Sequence, residues 1–274
     1  MKKYRFLVAT DMDYTLLLPG EPVSAENKRA VKAVQDAGGC VTLATGRTFY
    51  LTGAYAADLH IEVPLITSNG AAISDPVSFR DIESTDLPRD LSDELTELFF
   101  SCGVNATGYS SDGIYFFPAS SRRGFIDDYN SEVPDPIKVR ILKDSDHSFN
   151  KYLLIEPSPD IVSRLKGYPE LEIVSSAKGF LDVMMKGTSK GIALKKIASH
   201  LHIPEGMVFA LGDSENDLSL LQAADHAIAM ADSDPELLKA SDYVTSDCAS
   251  DGFAKAVYDF ILPNFKVYNT HIHI

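Results

Sequence analysis

The strongest constraint on the fold is an alternation of short apolar runs and amphipathic stretches that starts, stops and resumes. Tyr4–Thr10 (YRFLVAT) is a nearly continuous apolar run that ends at Asp11, and it predicts a strand buried on both faces. Ser24 caps a helical pattern through Ala37, with Ala30, Val31 and Val34 on one side, and Gly38-Gly39 ends it. Cys40–Ala44, a helical stretch over Thr48–Leu59 and a third strand at Pro64–Thr67 follow, up to a break at Ser68-Asn69-Gly70. This β-α-β-α-β order with short connections predicts an α/β fold with a doubly wound parallel sheet.

The alternation returns near Ser189 with a helix carrying Ile192, Leu194, Ile197 and Leu201. Strands Met207–Leu211, Ala227–Met230 and Tyr243–Thr245 then alternate with helices over Glu215–Ala223, from Pro235, and over Gly252–Leu262. The intervening pattern is different. Val104–Ser110 and Ile114–Phe117 flank a Ser-Asp-Gly turn as a hairpin, and Tyr152–Ile155, Leu171–Val174 and Leu181–Met185 read as further strands. Helices are expected near Leu91–Phe100, Arg122–Asn130 and Pro159–Lys166. Each half of the α/β pattern is incomplete alone. Residues 83–185 are therefore expected to be an α+β module inserted into a discontinuous core of 1–82 and 186–274.

Charge narrows the function. Lys plus Arg is 25 against 39 Asp plus Glu, a net charge of −14, which argues against a broad basic face for nucleic acid or anionic lipid. A small phosphorylated substrate would need a local cluster of cations, N–H groups or a metal. Cys40, Cys102 and Cys248 are widely spaced with no C-x-x-C, which supports neither a disulfide framework nor a zinc site. The N-terminal apolar run is too short for a secretion signal, and no stretch approaches the roughly 18 apolar residues of a membrane span. A soluble, cytoplasmic protein is expected; oligomeric state is not readable.

Ligands of open parallel sheets bind beyond the carboxyl ends of the strands. There the sequence places Asp11 and Asp13, Thr45-Gly46-Arg47, Ser68-Asn69-Gly70 and Gly212-Asp213-Ser214-Glu215-Asn216-Asp217, with Lys190 near a helix N-terminus. Singly these are ordinary: a D-x-D at a strand end is usually a turn or a cap, and an isolated lysine is usually at the surface. Together they put two acidic clusters at one sheet end, where hard oxygen ligands suit Mg²⁺. Calcium loops fail, because an EF-hand from Asp11 meets Leu16 and Pro22 where Gly and Glu are required, and one from Asp213 meets Leu218 and Ala224. P-loop, dinucleotide and G-x-S-x-G motifs do not occur.

The constellation Asp11-Met12-Asp13-Tyr14-Thr15, Thr45-Gly46-Arg47, Lys190 and Gly212–Asp217 resembles the four motifs of the haloacid dehalogenase superfamily of phosphohydrolases. The nearest pattern is its Cof-type branch, with a large α/β cap between the second and third motifs, and the likeness runs the length of the chain. It implies a Rossmann-like core and a Mg²⁺-dependent phosphatase acting on small phosphorylated metabolites, sugar phosphates first. It also implies an aspartyl-phosphate on Asp11, with Asp13 as general acid and base, and Mg²⁺ held by Asp11, Asp13 through its carbonyl, and Asp213. Asp217 acts from the outer shell or pairs with Lys190. Thr45, Gly46 and Lys190 hold the phosphoryl oxygens, and Asn69 and Asn216 bind substrate. Arg47 either contacts the substrate or pairs with an acidic neighbour. The cap is expected to govern substrate choice.

Two alternatives stand beside this: a phosphomutase on the same scaffold, and a non-catalytic binding or regulatory protein. Tyr14 departs from the family, which usually has Gly there, so Tyr14 is expected to have negative φ with its ring turned away from the metal. Asp127-Asp128 reads as a solvated helix face, Tyr115-Phe116-Phe117 as strand core, and His271 and His273 as a frayed tail or edge strand rather than a metal site.

Overall fold

The computed structural model describes residues 3–111, 113–117, 119, 139–141 and 147–265. The helix expected near Arg122–Asn130, with Asp127-Asp128, and the pair His271 and His273 lie outside these residues.

In chain order, β1 (Leu7–Thr10), α1 (Ala25–Asp36), β2 (Cys40–Leu43), α2 (Gly53–Asp58), β3 (Leu65–Thr67), β4 (Ala72–Asp75) and β5 (Arg80–Ser84) form the first part. Then come α3 (Arg89–Ser101), β6 (Ala106–Ser110), β7 (Gly113–Phe116), β8 (Val139–Ile141), β9 (Lys151–Ile155), α4 (Pro159–Leu165), β10 (Leu171–Ala177) and β11 (Phe180–Met185). The last part holds α5 (Lys190–His200), β12 (Val208–Gly212), α6 (Leu218–Ala223), β13 (His226–Ala229), α7 (Pro235–Ala240), β14 (Tyr243–Val244) and α8 (Gly252–Ala256). Two compact units result: Met1–Arg80 with Ser189–Ile274, and Asp81–Thr188.

The first unit is built on a parallel sheet in the order β14-β13-β12-β1-β2. β1 lies between a strand from each segment, Leu7 opposite both Cys40 and Val208. Strand order runs outward in one direction from β1 to β2 and in the other from β12 to β14. The switch point, where a crevice opens in such sheets, therefore lies between β1 and β12. All residues of β1 and β12 are buried, as their unbroken apolar runs require. Helix α1 is capped by Ser24, whose hydroxyl accepts from Asn27 N at 3.0 Å, and it buries Ala30, Val31 and Val34. In α5, Ala193, Leu194 and Ile197 face the core, but Ile192 is exposed.

The Pro64–Thr67 segment differs from a simple third parallel strand. It meets the main sheet through the single parallel bridge Ala44–Ile66 and the Thr42 hydroxyl, which donates to Pro64 O at 2.7 Å, and it pairs antiparallel with β4, in a separate sheet ordered β3-β4-β5. The turn after β3 carries three consecutive left-handed residues, Ser68, Asn69 and Gly70, with φ of 50°, 56° and 90°. At Gly70 only glycine fits: a Cβ there would lie 2.2 Å from the Ser189 carbonyl oxygen, at the start of α5.

The second unit has a mixed sheet in the order β10-β11-β9-β6-β7-β8, antiparallel except for β7 with β8. One face packs Tyr115, Phe117, Tyr152, Leu154 and Val183 against Leu95 and Phe99 of α3 and Ile161 and Leu165 of α4. The Tyr152 hydroxyl is satisfied inside this core by Ser92 and Thr96. The buried ion pair of Lys151 with Asp182, 2.7 Å, belongs to the same unit.

Candidate active site

Asp11 follows the last residue of β1 directly, so the end of the central strand fixes its position. Residues 12–17 then fold into a tight loop in which the Met12 carbonyl accepts from the N–H groups of Leu16 and Leu17, each at 2.9 Å, and Tyr14 N donates to Leu17 O at 2.8 Å. Closing this loop sets Tyr14 at φ 63°, in the left-handed region, not at the negative φ expected for a tyrosine. The hydrogen bonds of the turn override the residue's own preference, and Tyr14 is left 48% exposed.

Across the switch point, β12 ends at Gly212, and the chain turns through Asp213–Asp217 into α6. Asp217, completely buried, accepts from the N–H groups of Asp213 and Ser214 through Oδ2, at 3.1 and 3.2 Å, and from Lys190 Nζ through Oδ1 at 2.6 Å. Lys190 is equally buried, and its ammonium also donates to Asp11 Oδ1 at 2.7 Å. The sequence suggested two roles for Asp217, and the structure shows it pairing with Lys190. Asp213 accepts from Thr15 Oγ1 at 2.8 Å through Oδ1 and from Ser214 Oγ at 2.6 Å through Oδ2. Thr15 and Ser214 were visible within the motifs but gave no sequence signal for this orienting role.

One carboxylate oxygen from each of Asp11, Asp213 and Asp217 lies within 4.8 Å of the others. Two like charges at that distance repel by on the order of 3 kcal/mol at an effective dielectric of 20, and a single lysine leaves the cluster negative. The electrostatics follow. Burial pushes the Asp11 carboxyl well above the usual range; Lys190 opposes this, while Asp217, Asp213 and Asp13 reinforce it. Burial, then Asp217, raises Asp213 to about 6. For Lys190 burial favours the neutral amine, but Asp11 and Asp217 outweigh it and the ammonium is held more firmly than usual. A hard divalent cation fits this donor set, because buried oxygen ligands are waiting with charge uncompensated.

The remaining predicted residues are gathered at the same end of the sheet. The Thr45 hydroxyl oxygen accepts from Arg47 N at 3.1 Å, and the Thr45 carbonyl accepts from Asn69 N at 3.0 Å. Asn216 Nδ2 donates to Asn69 Oδ1 at 3.0 Å, joining the turn after β3 to the turn after β12. Gly46 lies under this pair: a Cβ there would stand 3.1 Å from Asn69 Oδ1. Arg47 turns to Asp13, with Nε to Oδ2 at 2.8 Å and a terminal nitrogen to Oδ1 at 2.5 Å. Of the two roles open to it from sequence, the structure shows the acidic partner.

A parallel sheet with its switch point between two aspartate-bearing strand ends defines the class, and the comparisons agree. Residues 8–257 match the family described as haloacid dehalogenase-like hydrolase, and the chain belongs to that family. It is 29% identical over 260 residues to the 5-amino-6-(5-phospho-D-ribitylamino)uracil phosphatase YcsE of Bacillus subtilis (strain 168), covering 93% of this chain and 96% of that protein. It is 25% identical over 233 residues to the HMP-PP phosphatase of Serratia proteamaculans (strain 568), covering 82% and 83%. The solved structure of a haloacid dehalogenase-like hydrolase from B. subtilis superposes with a TM-score of 0.80 at 25% identity, covering 95% of this chain and all of that one. The chain is an enzyme of the phosphatase class. Among the described residues, no helix is long and apolar enough to cross a membrane.

Proposed function

We propose that this enzyme is a Mg²⁺-dependent phosphatase of small phosphorylated metabolites, phosphorylated sugars and polyols first, working in the cytoplasm through an aspartyl-phosphate on Asp11. The observation that carries the proposal is the pairing of Asp11 with Lys190 beside Asp213 at the switch point, with Asp13 two residues on. Asp11, Asp213 and the Asp13 carbonyl would hold Mg²⁺, with Asp217 orienting them through Lys190 and the turn. When bound, the ion supplies the missing positive charge and so favours ionised carboxylates beside an anionic substrate.

The chain's own residues do the rest. Lys190 fixes Asp11 Oδ1 and leaves Oδ2 to attack phosphorus, and the bond to the leaving oxygen breaks as Asp13 gives that oxygen a proton. Water then attacks the phosphorus of the acyl phosphate, Asp13 takes its proton, and Asp11 returns as carboxylate with phosphate released. Lys190 has three N–H donors, two of which are committed to Asp11 and Asp217, so one remains for a phosphoryl oxygen. The Thr45 hydroxyl and the Gly46 N–H hold the others as charge develops. Asn69 and Asn216 contact the substrate, and Asp81–Thr188 selects its leaving group. The ribitylamino phosphate in the name of the Bacillus relative supports the substrate class.

The test is phosphate release from sugar phosphates, nucleotides and phosphorylated cofactors, with Mg²⁺ and with chelator, for wild type and Asp11→Asn. The nearly isosteric variant should fold and lose more than about a hundredfold in kcat, a barrier increase above ~2.7 kcal/mol. A smaller loss, or unchanged activity in chelator, overturns the proposal.

A further inference from the structure

Of the four aspartates of the site, Asp13 is the one assigned to proton transfer, and Lys190 does not hold it. Asp11 and Asp217 are fixed by that ammonium, and Asp213 by Thr15 and Ser214. The Asp13 side chain is 33% exposed, and both its oxygens lie in the fork of Arg47. Such a two-point contact fixes the plane of a carboxylate as well as its distance. The backbone that carries the fork is itself anchored, since Arg47 N donates to Thr45 Oγ1 and Arg47 O accepts from Ser68 N at 2.9 Å. Its guanidinium carbon stands 5.4 Å from the centre of the Tyr55 ring, and the side chain is only 17% exposed. An arginine meant to grip a phosphate would point its fork at the substrate, whereas this one spends two N–H groups on Asp13.

We propose that Arg47 is a positioning residue for proton transfer: it aims the Asp13 carboxyl at the leaving oxygen, and it is not a phosphate ligand. The proposal rests on the assignment of Asp13 as proton donor. Its signature is dependence on the leaving group, because a basic alkoxide needs the proton and a weakly basic phenolate does not.

The experiment measures kcat and KM for p-nitrophenyl phosphate and benzyl phosphate, similar in size and charge, in wild type, Asp13→Asn, Arg47→Lys and the double variant. Lysine keeps the charge and loses the fork. Arg47→Lys should lower kcat/KM, which reports the step that expels the leaving group and not the shared hydrolysis of the aspartyl-phosphate, by roughly tenfold or more on benzyl phosphate and by less than about threefold on p-nitrophenyl phosphate. The double variant should be no worse than Asp13→Asn. The ratio of the two rates within one preparation does not depend on the fraction folded. Equal losses of kcat/KM on both substrates overturn the role of Arg47 while Asp13→Asn still discriminates between them in the same parameter. If Asp13→Asn itself does not discriminate, the proton-donor assignment fails, and the inference with it.

Discussion

Tyr14 holds a left-handed backbone in a turn closed by the Met12 and Leu17 carbonyls, at φ 63°. For a residue with a Cβ this conformation costs roughly 1–2 kcal/mol, while glycine gives back about 0.5–1 kcal/mol in unfolded-chain entropy. Tyr14→Gly should therefore raise stability by up to about 1 kcal/mol, some 2–4 °C in Tm by calorimetry, with kcat within about tenfold. A lower Tm would mean that the half-exposed ring contributes packing worth more than the strain. Cys248 is a second residue whose surroundings decide its chemistry. Burial, then Asp213, Asp232, Asp247 and Asp251, pushes its thiol up to about 12. Only the thiolate reacts, so at pH 8 a thiol reagent should modify exposed Cys102 first and buried Cys248 far more slowly, as mass spectrometry of the native protein would show.

The turn between β12 and α6 does two jobs through two aspartates, and substitution separates them. Asp213 is raised to about 6 against an ordinary carboxylate near ~4, so the folded state binds its proton more tightly than the unfolded chain. Its contribution to stability is fully present at low pH and lost as pH rises through about 6. In chelator, the Tm advantage of Asp213→Asn over wild type should accordingly grow from pH 5 to pH 7, and the variant should lose most of the Tm gain that Mg²⁺ gives wild type. Asp217→Ala should instead destabilise by about 3–5 kcal/mol, since it strips a buried lysine of one partner and leaves two loop N–H groups unmet. Similar Tm changes in the two variants would show that the division of labour is wrong. The sequence made this turn legible, because acidic residues after an apolar strand and before a helix are a local signal. It did not disclose which aspartate faces inward, nor that Arg47 chooses Asp13, since both are decided by residues distant in the chain. The far strand of the sheet that β3 begins was hidden for a different reason: β5 is almost wholly exposed, so no apolar alternation marks it. Ile192 fits the helical period, yet the edge of an apolar stripe is where period alone cannot separate core from surface.

A net charge of −14 surrounds a site built to receive an anion. At low salt this field acts over tens of ångströms, and screening shortens its reach to about 10 Å at 0.1 M. Raising ionic strength from 0.01 to 0.1 M at fixed Mg²⁺ should thus increase kcat/KM for p-nitrophenyl phosphate by roughly two- to fivefold. A decrease would mean that the local cations outweigh the rest of the surface during encounter. The interleaving of the two units also bears on how the chain is made. β1 pairs on one side with β2, soon after it, and on the other with β12, which a ribosome adding about 5–20 residues per second completes some ten to forty seconds later. Throughout that interval one edge of a strand that is wholly buried in the finished fold has no mate, while Asp81–Thr188, with a core of its own, is being synthesised. The nascent chain thus passes most of that interval before Lys190 exists to meet Asp11, so the first strand must stay free of wrong pairings before the site that it carries can form.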